Sequence, residues 1–386
     1  MCHRPVLGLL IAVAAASAAG SALAGTNPPI QLRLVAYNVK QGFDGPGSPQ
    51  FMQAGRFITN LDVDGGGPLR GLNPDIVLLQ ECNQANIQEV FEFRDAYLPG
   101  YDLRTSGGDG FNYNTTLVRP GITVVSHSGL NVGGPRQVGK TRIRLADGLK
   151  DLVIYNCHFK SGSSSSDISQ RTGNANSTGN NASFEINFGN AFVIVAGDLN
   201  SNNNSDGSLT GLFSAGVLNL PVESLAGAAN PNQTAVATFP SSGGRLDYVC
   251  LDNALATEFD ANMNGSYSQT ELNSMGFVYF SQDDNGLRSS GDNVATSFVS
   301  DHRPVVFDVR VPRDQNAPYF TPTDVDRSGA TTIEDLYQWE TLWVQSTPPA
   351  PSPAPDVNQD RHTDLNDRAT IRSGLRSGEV VDITTL

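Results

Sequence analysis

Polar side chains able to share one reaction stand at the ends of apolar runs along this chain. Phe192-Val193-Ile194-Val195-Ala196 reads as a buried strand, and Gly197 then hands over to Asp198 and Asn200. Alternation along an extended chain points both to one face, which is how sheet enzymes set an acid and an amide around one reacting atom. An Asx turn explains the same two residues without chemistry. Other runs end alike: Asn38 closes Val35-Ala36-Tyr37, Glu81 follows Ile76–Gln80, and His158 closes Tyr155-Asn156-Cys157. Asp247 opens another run, and Asp301-His302 precedes the last one. Singly, Glu81 is explained as a helix N-terminal acid, Asp247 as a partner of Arg245, and His158 as a satisfied core histidine. Carboxylates, imidazoles and amides together at the strand ends of a Gly-rich chain point to one catalytic centre.

A second set of oxygen side chains lies in the tail. Asp324, Asp326, Ser328, Thr332 and Asp335 occupy positions 1, 3, 5, 9 and 12 of a loop, and the pattern recurs 32 residues later. The second copy uses Asp356, Asn358, Asp360, Asp364 and Asp367. This is calcium-loop spacing, with Ile333 and Leu365 apolar at position 10. Arg361 stands where the second turn favours Gly, so the first loop is expected to bind Ca2+ more tightly. Helix-like segments follow at Leu336–Gln345 and Arg368–Leu375, with a proline-rich insert at 347–355.

The elements that must position the first set are short Val/Ile/Leu/Phe runs separated by Gly, Asn and Ser clusters. Strands are expected at Arg33–Asn38, Ile76–Gln80, Asn114–Val118, Leu152–His158, Phe192–Ala196, Leu246–Leu251 and Val305–Val311. Helices are expected at Gln50–Leu61, Gln84–Ala96 and, patchily, Ser169–Asn187; Ser161–Ser183 is dense enough in Ser, Asn and Gly to read as a mobile loop. Many strands with interspersed helices fit a two-sheet α/β sandwich flanked by helices. Residues 313–323 read as a linker to a tail spanning 324–386.

At 386 residues the chain has ample core. Arg4, an apolar stretch from Val6 to Ala19 and Ala22-Leu23-Ala24 form a signal-peptide pattern over residues 1–24, so bacterial-type export is expected. No later apolar run is long enough to span a bilayer. Cys82, Cys157 and Cys250 lie in or beside apolar runs and read as small core residues, with one disulfide left open. A net charge of −14 disfavours loose electrostatic binding of nucleic acid, but not an enzyme that brings its phosphate to a metal.

With these motifs in this order, residues 30–312 resemble the endonuclease/exonuclease/phosphatase family, which includes pancreatic-type deoxyribonucleases, apurinic endonucleases, bacterial sphingomyelinases and inositol-polyphosphate phosphatases. The resemblance implies a four-layer α/β/β/α sandwich. It implies that Asn38 and Glu81 hold Mg2+ or Mn2+, with Asp301 in or near that shell. His302 would stand at the scissile phosphate, oriented by Asp247. Asp198 and Asn200 would position or activate the attacking water, and His158 would contact a phosphate oxygen. The chemistry agrees, because a phosphodiester repels hydroxide until a cation and donors neutralise it. Lys40 departs from the acid that some nucleases of the family carry there, which argues against a second metal and leaves a phosphate contact open. Tyr113, Arg119 and Arg171 are further candidates near the phosphate, each with a structural alternative.

The tail is similar to a dockerin, a small helical calcium-loop module whose partner is a cohesin on a scaffold protein. The expectation is therefore an exported, monomeric, metal-dependent phosphodiesterase, foremost a nuclease acting on extracellular DNA or RNA. The alternatives are a sphingomyelinase-like or small phosphate-ester hydrolase of the same fold, and a surface binding module without activity. Both Trp residues, Trp339 and Trp343, lie in the tail, which favours a soluble polymer over a lipid surface.

Overall fold

Alternation of side chains along the strands decides the layering. In β1 (Ile30–Asn38), Leu32, Leu34 and Ala36 face one core while Val35 and Tyr37 face another. Strand β2 (Ile76–Asn83) repeats this with Ile76 and Leu78 against Val77 and Leu79. The computed structural model describes residues 28–48, 50–52, 54–55, 74–201, 209–214, 217–219, 238–239, 245–258, 276–278, 300–316, 322–325, 328, 331–344, 357 and 365–375.

The further elements are α1 (Gln88–Tyr97), β3 (Asp102–Thr105), β4 (Asn112–Val118), β5 (Thr123–Asn131), β6 (Gln137–Arg144), β7 (Asp151–His158), α2 (Ser165–Asn187) and β8 (Ala191–Asp198). Then come α3 (Thr210–Ser214), β9 (Val217–Asn219), β10 (Asp247–Asp252), α4 (Asn253–Thr257), β11 (Gly276–Val278), β12 (Val305–Val311), α5 (Ile333–Val344) and α6 (Leu365–Gly374). The strands form two sheets, ordered β11-β12-β1-β2-β4-β3 and β5-β6-β7-β8-β10-β9. Each holds a parallel pair, β1 with β2 and β7 with β8, flanked by antiparallel neighbours.

The inward faces of both sheets meet in one apolar core, including Leu34, Leu78, Ile154, Ile194, Val249 and Phe307. Outside the first sheet, Val35 and Leu79 pack on Phe51, Val90 and Phe93. Outside the second, Tyr155 and Val195 pack on Ala175, Ala182 and Leu212. Helix, sheet, sheet and helix thus stack as the sequence led us to expect.

One expectation fails. Ser161–Ser183, read as a mobile loop, is largely the helix α2, which agrees instead with the patchy helix expected over Ser169–Asn187. Its composition is poor for a helix, yet Ser164 and Asp167 close a capping box at its start. Ala175, Thr178, Gly179 and Ala182 are buried, and Asn174 donates to Val132 O at 2.9 Å. Small side chains let the helix lie close on the sheet, and tertiary burial outweighs propensity. The expected strands are all present, whereas β3, β5, β6, β9 and β11 went unnoticed. Strand β5 is largely exposed, so its sequence carries little apolar signal.

Cys82, Cys157 and Cys250 are buried free thiols, and burial pushes Cys82 and Cys250 up to about 12. In the tail, Leu336, Trp339, Val357 and Ile371 form a separate small core. Asp324, Asp335 and Asp367 are buried there, while Asp326, Asp356, Asn358, Asp360 and Asp364 lie outside the described residues. Residues 1–24 and the insert 347–355 lie outside them too. Among the described residues no helix is long and apolar enough to cross a membrane.

Candidate active site

Strand register assembles the site. Asn38 pairs opposite Gln80, His158 opposite Asp198, and Asp198 opposite Asp247. Each continues an inward-facing stripe: Asn38 follows Leu32, Leu34 and Ala36, and Asp198 follows Phe192, Ile194 and Ala196. The alternation that fills the core therefore delivers polar groups between the sheets at one end. Glu81 breaks the rule, since its parity matches the outward Val77 and Leu79. The β2–β4 register slips between Leu79 and Cys82, Glu81 takes a φ of 56°, and its carboxylate meets Asn38.

The distances define two clusters that share Asp198. Asn38 Nδ2 donates to Glu81 Oε1 at 3.1 Å and to Asp198 Oδ2 at 3.0 Å. His158 Nε2 lies 3.4 Å from Glu81 Oε1 and 3.7 Å from Asp198 Oδ2. On the other side, His302 Nε2 lies 3.8 Å from Asp198 Oδ2, and its Nδ1 lies 2.8 Å from Asp247 Oδ2. Asn200 donates its backbone N–H to Asp198 Oδ1 at 2.9 Å and its side chain to Phe159 O at 3.1 Å, from a φ of 51°. Beneath these groups Gln80 Nε2 donates to Asn156 Oδ1 at 2.7 Å, joining the two sheets.

Charge is unevenly held. Burial works against a charged His302, but Asp247 and Asp198 hold its pKa above the ordinary histidine value, at about 10. Burial also lifts the Asp198 carboxyl, with His302 pulling the other way. His158 is driven far below its usual value by burial, then by the positive charges of Arg136 and His302. One imidazole is thus kept neutral and the other cationic, about one carboxylate.

Glu81 and Asp198 converge on the Asn38 amide, whose N–H donors stand where two carboxylates call for positive charge. The carboxylate oxygens of Glu81 and Asp198 are hard donors, which suits Mg2+ or Mn2+, while Asn38 turns Nδ2 toward them and its Oδ1 accepts from the Lys40 N–H. Such an ion fits these residues: Glu81 would hold it directly, and Asn38 would do so with its amide turned to present Oδ1. Asp301 joins neither cluster; it pairs with Lys40 Nζ at 3.1 Å. Asp247 turns to His302, while Arg245 lies over the Tyr248 ring at 4.0 Å.

Arg136 went unnoticed in the sequence. Its Nε donates to Asp109 Oδ2 at 3.0 Å, and its Nη1 to His158 Nε2 at 2.7 Å and Phe159 O at 3.1 Å. A guanidinium only donates, so His158 Nε2 is an acceptor here and faces Arg136. Among the described residues Nη2 has no hydrogen-bond partner, which leaves two donors for a phosphate oxygen. Gly133-Gly134-Pro135-Arg136 is a turn without periodicity, so only its nearness in space could reveal it. Arg119 instead pairs with Asp75 at 3.3 Å, before the start of β2, and Arg171 is buried on the carbonyls of Lys160 and Gly162. Tyr113 is buried in the outer core of the first sheet.

A model of the Endonuclease/Exonuclease/phosphatase family matches residues 69–302, and the chain belongs to that family. It is accordingly a metal-dependent phosphoric ester hydrolase, with which the Glu81, His158 and Asp198 cluster is compatible. No curated protein matches the sequence. Among solved structures, the chain is similar to an endonuclease/exonuclease/phosphatase from Bacteroides vulgatus at 14% identity and a TM-score of 0.48, covering 73% of this chain and 100% of that one. It is also similar to TDP2 from Caenorhabditis elegans, at 16% identity, TM-score 0.47 and coverages of 73% and 75%. A third is the human Nocturnin catalytic domain with bound sulfate anion, at 13% identity, TM-score 0.46 and coverages of 75% and 96%.

Proposed function

We propose that this protein is an exported nuclease that hydrolyses phosphodiester bonds in extracellular DNA or RNA with Mg2+ or Mn2+. The observation that carries the reading is the meeting of Asn38, Glu81, Asp198 and the Asp247–His302 pair at one end of both sheets. Glu81 and Asn38 would hold the ion, which when bound neutralises charge on the phosphate. Asp198, fixed by Asn38 and the Asn200 N–H, holds the attacking water and takes its proton. His302, kept cationic by Asp247, stabilises the charge that develops on the phosphoryl oxygens. Arg136, braced by Asp109 and His158, donates through Nη2 to a non-bridging oxygen. Export is supported by the signal pattern of residues 1–24.

The test is Mg2+-dependent cleavage of plasmid DNA and RNA by the full chain, set against phosphocholine release from sphingomyelin vesicles, with His302→Ala as control. Cleavage of nucleic acid that depends on His302 supports the reading. Phosphocholine release alone shifts it to a lipid substrate, and no turnover of any phosphate ester by wild type overturns it.

We further read residues 324–386 as a dockerin-like module with two Ca2+ loops and a cohesin as its partner. Its support is the doubled spacing, together with the burial of the position-12 acids Asp335 and Asp367. Asp335 Oδ2 accepts from Thr332 N at 2.7 Å and Asp367 Oδ1 from Val357 N at 2.6 Å, so both acids already brace their loops. Calorimetric Ca2+ titration of the full chain should show binding that Asp324→Ala weakens more than Asp356→Ala. No Ca2+ heat that depends on either residue would refute it.

A further inference from the structure

The stretch after Asn38 is held in a conformation its residues do not favour. Lys40, Gln41 and Asp44 have φ values of 45°, 66° and 56°, and Gly42 between them has 99°. Left-handed backbone at non-glycine residues costs energy and persists only where the surroundings enforce it. Two contacts do so. The Phe43 ring stacks on Phe93 of α1, with centroids 4.1 Å apart. Glu89, also on α1 and 1% exposed, lays its carboxylate against Gly42, where a Cβ would come within 1.6 Å of Oε1. Burial lifts the Glu89 carboxyl to about 6; its Oε2 accepts from Asn86 Nδ2 at 3.3 Å, and among the described residues its Oε1 has no hydrogen-bond partner.

The other end of this strap reaches the site. The Lys40 N–H donates to Asn38 Oδ1 at 3.0 Å, and its ammonium lies 3.1 Å from Asp301 Oδ2. The Lys40 side chain is 57% exposed, so it is open to a substrate. Asp301 adjoins His302, so one chain of contacts runs from α1 through the strap to both halves of the centre.

We propose that Glu89 is a positioning residue for the reaction: it pins the strap Lys40–Asp44, and the strap sets Lys40 where its ammonium meets the substrate phosphate beside Asp301. This rests on the phosphodiesterase reading above. A fixed ammonium there supplies positive charge without a second metal ion.

The experiment is a double-mutant cycle of Glu89→Gln and Lys40→Ala on hydrolysis of bis(p-nitrophenyl) phosphate, with Gly42→Ala as a second route to displacing the carboxylate. Lys40→Ala is expected to lower kcat/KM about tenfold, mainly through KM, as loss of one charge-assisted contact would. Glu89→Gln and Gly42→Ala should each lose a similar factor, and the Glu89→Gln/Lys40→Ala pair no more than Lys40→Ala alone. Losses that multiply in the pair, or Glu89→Gln at wild-type kcat/KM, overturn the proposal. Amide hydrogen exchange of residues 40–44 should quicken in Glu89→Gln while α1 stays protected, and unchanged exchange overturns the pinning. If wild type hydrolyses neither this ester nor nucleic acid, the functional reading fails and the exchange result still decides whether Glu89 holds the strap.

Discussion

The two sheets share one pairing plan and deliver different groups to the same end of the molecule. In each, a parallel pair sits between antiparallel neighbours and ends in polar residues. The first sheet ends in Asn38 and Glu81, an amide and a carboxylate set against each other at 3.1 Å. The second ends in His158 and Asp198, with Asp247 alongside, all buried and with shifted protonation at His158 and Asp198. On the proposed function, the first half holds a cation and the second holds and moves a proton. His302, entering the first sheet, reaches across to Asp247 of the second and couples the halves.

The comparison breaks most visibly at Asp198. Asp198→Asn should lower kcat by on the order of 10²–10⁴, with folding intact by circular dichroism, because the acid lies between both clusters. Near-normal kcat would move the proton-handling role elsewhere. His302→Ala should lose a comparable factor, and added imidazole should restore part of it.

A second test concerns the Asp247–His302 pair in metal-free buffer. The folded pKa of His302 is raised to about 10, above an unfolded value of about 6.5. The pair's stabilisation is therefore fully present below about pH 6.5 and lost as pH rises through about 10. Urea midpoints of wild type should fall across that window more than those of Asp247→Asn. Parallel curves would show that the pair does not hold the proton.

Arg136→Lys should have a smaller effect, about tenfold in kcat/KM. A lysine keeps the charge but not the fork that joins Asp109, His158 and a phosphate oxygen. An unchanged kcat/KM would make Arg136 a purely structural brace of His158. Smallest is Ser164→Ala, expected to cost about 1 kcal/mol in chemical denaturation by removing the cap of α2, and no activity.

These residues also mark what sequence reading reaches. Asn38 and Asp198 were legible because they extend apolar stripes of period two, and the period survives folding. Glu81 was found by its place after Gln80, yet parity alone would have turned it outward; the bulge that corrects it has no simple sequence mark. Arg136 and Asp109 are 27 residues apart in chain turns, so their contact follows from sheet packing alone. Helix α2 was legible only in part, as a patchy helix over Ser169–Asn187, because its stability lies in buried small side chains and a capping box rather than in propensity. Asp301, placed in or near the metal shell by resemblance, pairs with Lys40 in the folded chain, a contact that the sequence reading did not foresee.

The division between a cation-holding half and a proton-handling half is tested most directly by the Mg2+ dependence of phosphodiester hydrolysis in Glu81→Gln and Asp198→Asn. The account predicts that raising Mg2+ restores much of the activity of Glu81→Gln and leaves the deficit of Asp198→Asn unchanged. Rescue of Asp198→Asn by Mg2+, or a Glu81→Gln enzyme that responds to Mg2+ as wild type does, would contradict it.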